Sequence, residues 1–258
     1  MTAVNSTPSS DSSSAQEGAA RVDLPARGPV ELLFLLCHGV GGQAAQMAPL
    51  AAALRAQYPQ AAIVSLNGSE PNDGLAAGAG AAGSGFQWFS MGGLDGADGP
   101  ALLAERVGAA LPGFIARVRR WAAHFELDWP RVALAGFSQG AILSLEALQA
   151  EPRLAGRVIA LAGAYAWLPQ QAPQEVCVHL LHGMDDAVLP YRPIVGAARA
   201  LLDLGADVTA DVLPGVGHTV HPQLVDKAME QLRSFVPARL WREAVVAAAE
   251  QQKQERAQ

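Results

Sequence analysis

Apolar residues in this chain fall into short unbroken blocks separated by longer stretches of mixed character, and the two kinds alternate along most of its length. Residues 31–37 (ELLFLLC), 61–66 (AAIVSL), 131–135 (RVALA), 158–162 (VIALA) and 176–181 (VCVHLL) are apolar at nearly every position rather than at every second one. Strands buried on both faces read this way, and such burial belongs to parallel sheets covered by helices. A further strand is expected at 207–213. Between these blocks, 43–57, 101–125, 141–150, 191–204 and 222–236 carry helix formers, and Pro59 and Pro152 mark two of the stops. The regular alternation predicts an α/β domain, a mostly parallel central sheet with helices on both faces.

Three stretches lack that rhythm. Residues 67–100 are crowded with Gly, Ala and Asp and are too long for a simple connection. Within them, 78–83 (GAGAAG) satisfies G-x-G-x-x-G but follows no strand and opens no helix, so it is not a nucleotide fingerprint. Phe86, Trp88 and Phe89 form an aromatic cluster there. Residues 1–27 read as a disordered tail, rich in Ser, Thr and Ala at its start and without the basic and apolar regions of a secretory signal. Residues 28–236 make the domain. Residues 237–258 form a polar helical extension in which Trp241, Val245 and Ala248 share a face, so its first turns should dock while its end frays.

Composition narrows the function. The 258 residues carry a formal charge of −6, which argues against nucleic acid and against an anionic membrane surface. No apolar run is long enough to span a bilayer. Cys37 and Cys177 lie inside apolar blocks and behave as small hydrophobes rather than as a disulfide, which leaves a cytoplasmic location as the default.

The chemistry centres on residues 136–140, GFSQG. A strand before and a helix after place Ser138 on the sharp turn of a nucleophile elbow, with glycines where side chains would collide with neighbouring elements. A serine needs a base, and the base needs a group to fix its tautomer. In this architecture the order is serine, acid, histidine. The loop after the strand at 176–181 carries Asp185 and Asp186, and the loop after 207–213 carries His218. The oxyanion donors are expected to be the backbone N–H of Gln139 and, from the glycine-rich loop at 37–42, that of Val40. His38 and His182 read as loop-shaping residues, and His124 and His179 as structural. His218 and His221 form H-x-x-H without a third ligand nearby, so no metal site is expected.

Taken together, these motifs resemble the phospholipase/carboxylesterase group of α/β-hydrolases, which includes acyl-protein thioesterases. The resemblance covers about residues 28–236 and rests on 36–41 (LCHGVG), 136–140, 182–188 (HGMDDAV), 215–218 (GVGH) and 87–89 (QWF). It implies the α/β-hydrolase fold and a serine esterase acting on carboxylic esters or thioesters, borne by small molecules or acylated proteins, with no cofactor. It implies that Asp186, rather than Asp185, joins Ser138 and His218 in the triad. It also implies that Trp88 and Phe89 help form the acyl pocket, and, because relatives often dimerise, a homodimer. Two positions depart from the family pattern: Gly42 replaces a frequent aspartate and Ala187 a common proline. The contrasting class is a non-catalytic α/β-hydrolase scaffold used for binding, which usually lacks a complete triad.

Overall fold

The structure, a computed structural model, describes residues 19–76 and 80–256. The tail over residues 1–18, Gly78 and Ala79 of the GAGAAG run, and residues 257 and 258 of the C-terminal extension lie outside the described residues. The strands in chain order are β1 (Ala19–Asp23), β2 (Leu32–Cys37), β3 (Ala61–Leu66), β4 (Glu70–Pro71), β5 (Phe86–Gln87), β6 (Val132–Phe137), β7 (Arg157–Leu161), β8 (Cys177–Gly183) and β9 (Asp207–Leu213). The helices are α1 (Ala48–Gln57), α2 (Gly99–His124), α3 (Gln139–Ala150), α4 (Arg192–Asp203), α5 (Pro222–Ser234) and α6 (Ala238–Arg256). Seven strands form one sheet in the order β1-β3-β2-β6-β7-β8-β9. All neighbours run parallel except β1, which is antiparallel to β3. This is the α/β-hydrolase architecture.

The unbroken apolar blocks make sense on this sheet, because each strand sends alternate residues into two separate cores. Leu33, Leu35 and Leu134 face α2, α3 and α4, where Val107, Leu111, Phe114, Val118 and Trp121 of α2 recur at helical spacing. Phe34, Leu36, Ala135 and Phe137 face the other way, onto Leu50 and Leu54 of α1 and Leu224 and Ala228 of α5. In-register parallel pairing brings the carboxyl ends of β2, β6, β7 and β8 to one edge, where ligands bind in open α/β sheets.

Two expectations, one at each end of the domain, differ from what is found. Residues 19–23, assigned from sequence to the disordered tail, form β1: Val22 pairs with Val64 and Asp23 with Ile63. The Asp23 carboxylate takes Arg55 at 2.6 Å and Arg21 at 2.8 Å. A short edge strand with mixed polarity has no periodicity to betray it. The segment 67–100 contains the two-residue strands β4 and β5, paired antiparallel. Finally, α6 stays helical through Arg256, and its apolar face does not dock: Trp241 is 63% and Val245 65% exposed. The start of α6 is held instead by the Ala238 N–H donating to Asp207 Oδ1 at 2.6 Å. Periodicity shows that a helix has an apolar face but not what covers it. Among the described residues no helix is long and apolar enough to cross a membrane.

Candidate active site

Ser138 stands between β6 and α3 with φ 52° and ψ −116°, a conformation costly for any residue with a Cβ and kept only where surrounding contacts enforce it. Here the enforcement is visible. Its N–H donates to the Leu161 carbonyl at 2.9 Å. A Cβ on Gly136 would lie 2.3 Å from the backbone of Gly140, and one on Gly140 2.3 Å from the Cys37 carbonyl oxygen. Both glycines of the elbow are therefore demanded by close backbone approach.

Asp186 and His218 arrive from the loops that follow β8 and β9. His218 Nε2 lies 2.9 Å from Ser138 Oγ, and His218 Nδ1 lies 2.7 Å from Asp186 Oδ2. A carboxylate only accepts, so Nδ1 carries the proton and Nε2 is free to take the serine hydroxyl's. Asp186 Oδ1 accepts the N–H groups of Val188 at 2.9 Å and Leu189 at 2.8 Å, which orients the carboxylate without the proline common at position 187. The two loops are laced together by Met184 N–H to Leu213 O (2.8 Å) and Asp185 N–H to Val216 O (3.0 Å). Asp185 has an exposed side chain, and Asp186 is the carboxylate that reaches the histidine. His221 is accounted for by its Nδ1 accepting the Gln223 N–H at the start of α5.

On the opposite side, the loop at 38–42 packs over the elbow: a Cβ on Gly39 would meet the Phe137 ring at 2.9 Å. Gly39 N–H donates to Gln46 Oε1 at 2.9 Å, which leaves the Val40 N–H as the next one along the loop. Gly42 lies close to the same group: a Cβ there would come within 2.5 Å of Gln46 Oε1, the end of a flexible side chain. His38 accepts the Gly68 N–H on Nε2 (2.8 Å) and donates from Nδ1 to the Gly39 carbonyl (2.6 Å). Burial holds its pKa below the ordinary histidine range, so it is neutral and shapes the loop. Gln139 heads α3, so its N–H points out of the positive end of the helix.

Trp88 and Phe89, which the resemblance assigns to the acyl pocket, are buried at 3% and 4% exposure. Trp88 Nε1–H donates to the His38 carbonyl at 2.9 Å, and its ring meets Phe114 edge-on with Arg117 over one face. The Gln139 side chain clamps the same pair, accepting the Trp88 N–H at 2.8 Å and donating to the Phe89 carbonyl at 2.6 Å. A buried indole needs a partner for its N–H, and here the partner is the loop that precedes Val40. Gln46 and the Gln139 side chain were not singled out from sequence, and no periodic signal marks them.

Residues 19–236 match the model of the Phospholipase/Carboxylesterase family. The chain is 38% identical to esterase YpfH of Escherichia coli K12 over 217 residues, 84% of this chain and 88% of that protein. It is 32% identical to acyl-protein thioesterase 1 of Gibberella zeae over 119 residues, 42% of this chain and 49% of that one. The crystal structure of esterase PE8 shares the fold with a TM-score of 0.74 at 24% identity, over 84% of this chain and 99% of that one. The chain belongs to the phospholipase/carboxylesterase family of α/β-hydrolases.

Proposed function

We propose that this protein hydrolyses carboxylic esters or thioesters through an acyl-enzyme on Ser138. The reading rests on one observation: Asp186, His218 and Ser138 form an unbroken chain of contacts at 2.7 and 2.9 Å. His218 Nε2 takes the hydroxyl proton as Ser138 Oγ attacks the acyl carbon, and Asp186 stabilises the imidazolium. The N–H groups of Val40 and Gln139 receive the developing oxyanion. Collapse of the tetrahedral species expels the alcohol or thiol, protonated by His218. Water, deprotonated by His218, then attacks the acyl carbon and releases the carboxylic acid and free Ser138.

The acyl carrier is a small molecule or an acylated protein, the latter supported by similarity to a protein named as an acyl-protein thioesterase. The free, buried thiols of Cys37 and Cys177 suit a cytoplasmic location; a homodimer follows from the family resemblance alone. The test is burst-phase hydrolysis of p-nitrophenyl esters and acyl thioesters across chain lengths. Wild type should turn over, and Ser138→Ala should lower kcat by about 10⁴–10⁶-fold. Undiminished activity in Ser138→Ala would overturn the assignment, and inert wild-type protein would favour the binding-scaffold class.

A further inference from the structure

His182 lies in β8, four positions before Asp186, with its side chain 1% exposed and the Asp186 side chain fully buried. Its Nε2 is 2.7 Å from the Leu189 carbonyl oxygen, which only accepts, so Nε2 carries the proton. The same Nε2 is 3.3 Å from Asp186 Oδ2. Nδ1 is buried and has no hydrogen-bond partner among the described residues. A leucine-sized apolar residue would fill this space without stranding a ring nitrogen, so packing alone does not account for a histidine here.

Donors surround the carboxylate on both oxygens. Oδ1 holds two backbone N–H groups, and Oδ2 faces His218 Nδ1 at 2.7 Å and His182 Nε2 at 3.3 Å. Leu189 closes the ring, giving its N–H to Asp186 and taking the His182 proton on its carbonyl. Building on the assignment of Asp186 to the triad, we propose that His182 is a positioning residue for the reaction. Its Nε2–H locks the 186–189 turn and shares Oδ2 with His218, fixing the carboxylate's orientation and moderating the negative charge that His218 feels. Burial keeps the ring below the ordinary histidine range and therefore neutral, and the titratable groups acting on it are Asp186 and His218.

The decisive comparison is His182→Leu against His182→Gln, whose Nε2 carries a donor at similar reach. Two readouts are needed: the pH profile of kcat/KM with p-nitrophenyl acetate, and the low-field proton resonance of the His218–Asp186 hydrogen bond. His182→Leu should lower kcat/KM roughly tenfold or more, the scale of a small misplacement in a site. It should also move the acid limb of the profile to higher pH, because the undivided charge on Oδ2 holds the imidazolium longer. The low-field resonance should shift, and His182→Gln should recover most of each change. Equal losses in both variants, with unchanged profile and resonance in the folded fraction, would reduce His182 to a packing residue. Wild-type behaviour of His182→Leu would also overturn the proposal. Ser138→Ala, measured alongside, separates the two claims: if it stayed active the triad reading would fail, while the resonance would still decide what His182 does to Asp186.

Discussion

Asp186 and His218 stand on loops that grow directly from two neighbouring strands, β8 and β9, and are joined by backbone hydrogen bonds. The oxyanion loop at 38–42 also follows a strand, yet its shape depends on side chains from Gln46, Trp88 and Gln139. Backbone lacing between adjacent strands survives most substitutions, because every residue type supplies the same N–H and C=O. Side-chain bracing does not, because one amide or indole is the whole contact. The acid–base half is therefore vulnerable at its reacting groups and at His182, and the oxyanion half at side chains that do not themselves hold the oxyanion.

Substitutions on each half sharpen the contrast. The largest effect is expected at Asp186→Asn, which leaves the lacing intact but offers an amide N–H or the wrong tautomer partner to His218. Its kcat should fall about 10⁴-fold with an unchanged melting temperature, measured by ester hydrolysis and calorimetry. Trp88→Phe keeps an aromatic ring in the core and deletes the donor to the His38 carbonyl. It should lower kcat roughly tenfold, short of the loss of a whole oxyanion donor, with the chain-length preference unchanged. A changed preference would return Trp88 to the acyl pocket. Gln46→Leu frees the Gly39 N–H and should cost about 1 kcal/mol of stability and a few-fold in kcat.

The smallest effect on rate is expected outside both halves, at Glu146. This buried carboxylate accepts the N–H groups of Ala166 at 2.6 Å and Trp167 at 3.2 Å, and burial pushes its pKa up to about 7. The folded protein then binds this proton more tightly than the unfolded chain does. The stability it contributes is complete below the ordinary carboxylate range and is lost as pH rises through about 7. Glu146→Gln should flatten that dependence, raising Tm at pH 8 by about a few degrees while leaving kcat alone.

What the sequence made legible follows the same division. Strands buried on both faces announced themselves as unbroken apolar blocks, and five of the six parallel strands lie within about two residues of those blocks. Ser138 and His218 were readable because each follows a strand in a fixed chain order; that order left Asp185 and Asp186 equal, the family resemblance implied Asp186, and the fold brings Asp186 to His218. The strand β1 was not readable, being short, mixed in polarity and paired along a single edge. Nor was the hydrogen bond by which Trp88 props the oxyanion loop, because an aromatic cluster in a glycine-rich segment carries no mark of the contacts its rings make. Gln46, Gln139 and His182 act through contacts between segments distant in sequence or through a single ring nitrogen, and neither kind leaves a period to detect.

The short antiparallel strand β1 has a consequence for how this protein is handled. It covers the outer edge of β3, whose residues Ala61–Leu66 are all buried and nearly all apolar. A chain trimmed to begin near Arg27 would keep every group at the elbow and still fold its two cores. It would also carry an open, uncharged template for pairing with other molecules, the condition under which sheets grow into aggregates. The few residues that look most like a dispensable leader thus act as a guard on solubility, and a expression fragment is best begun before Ala19.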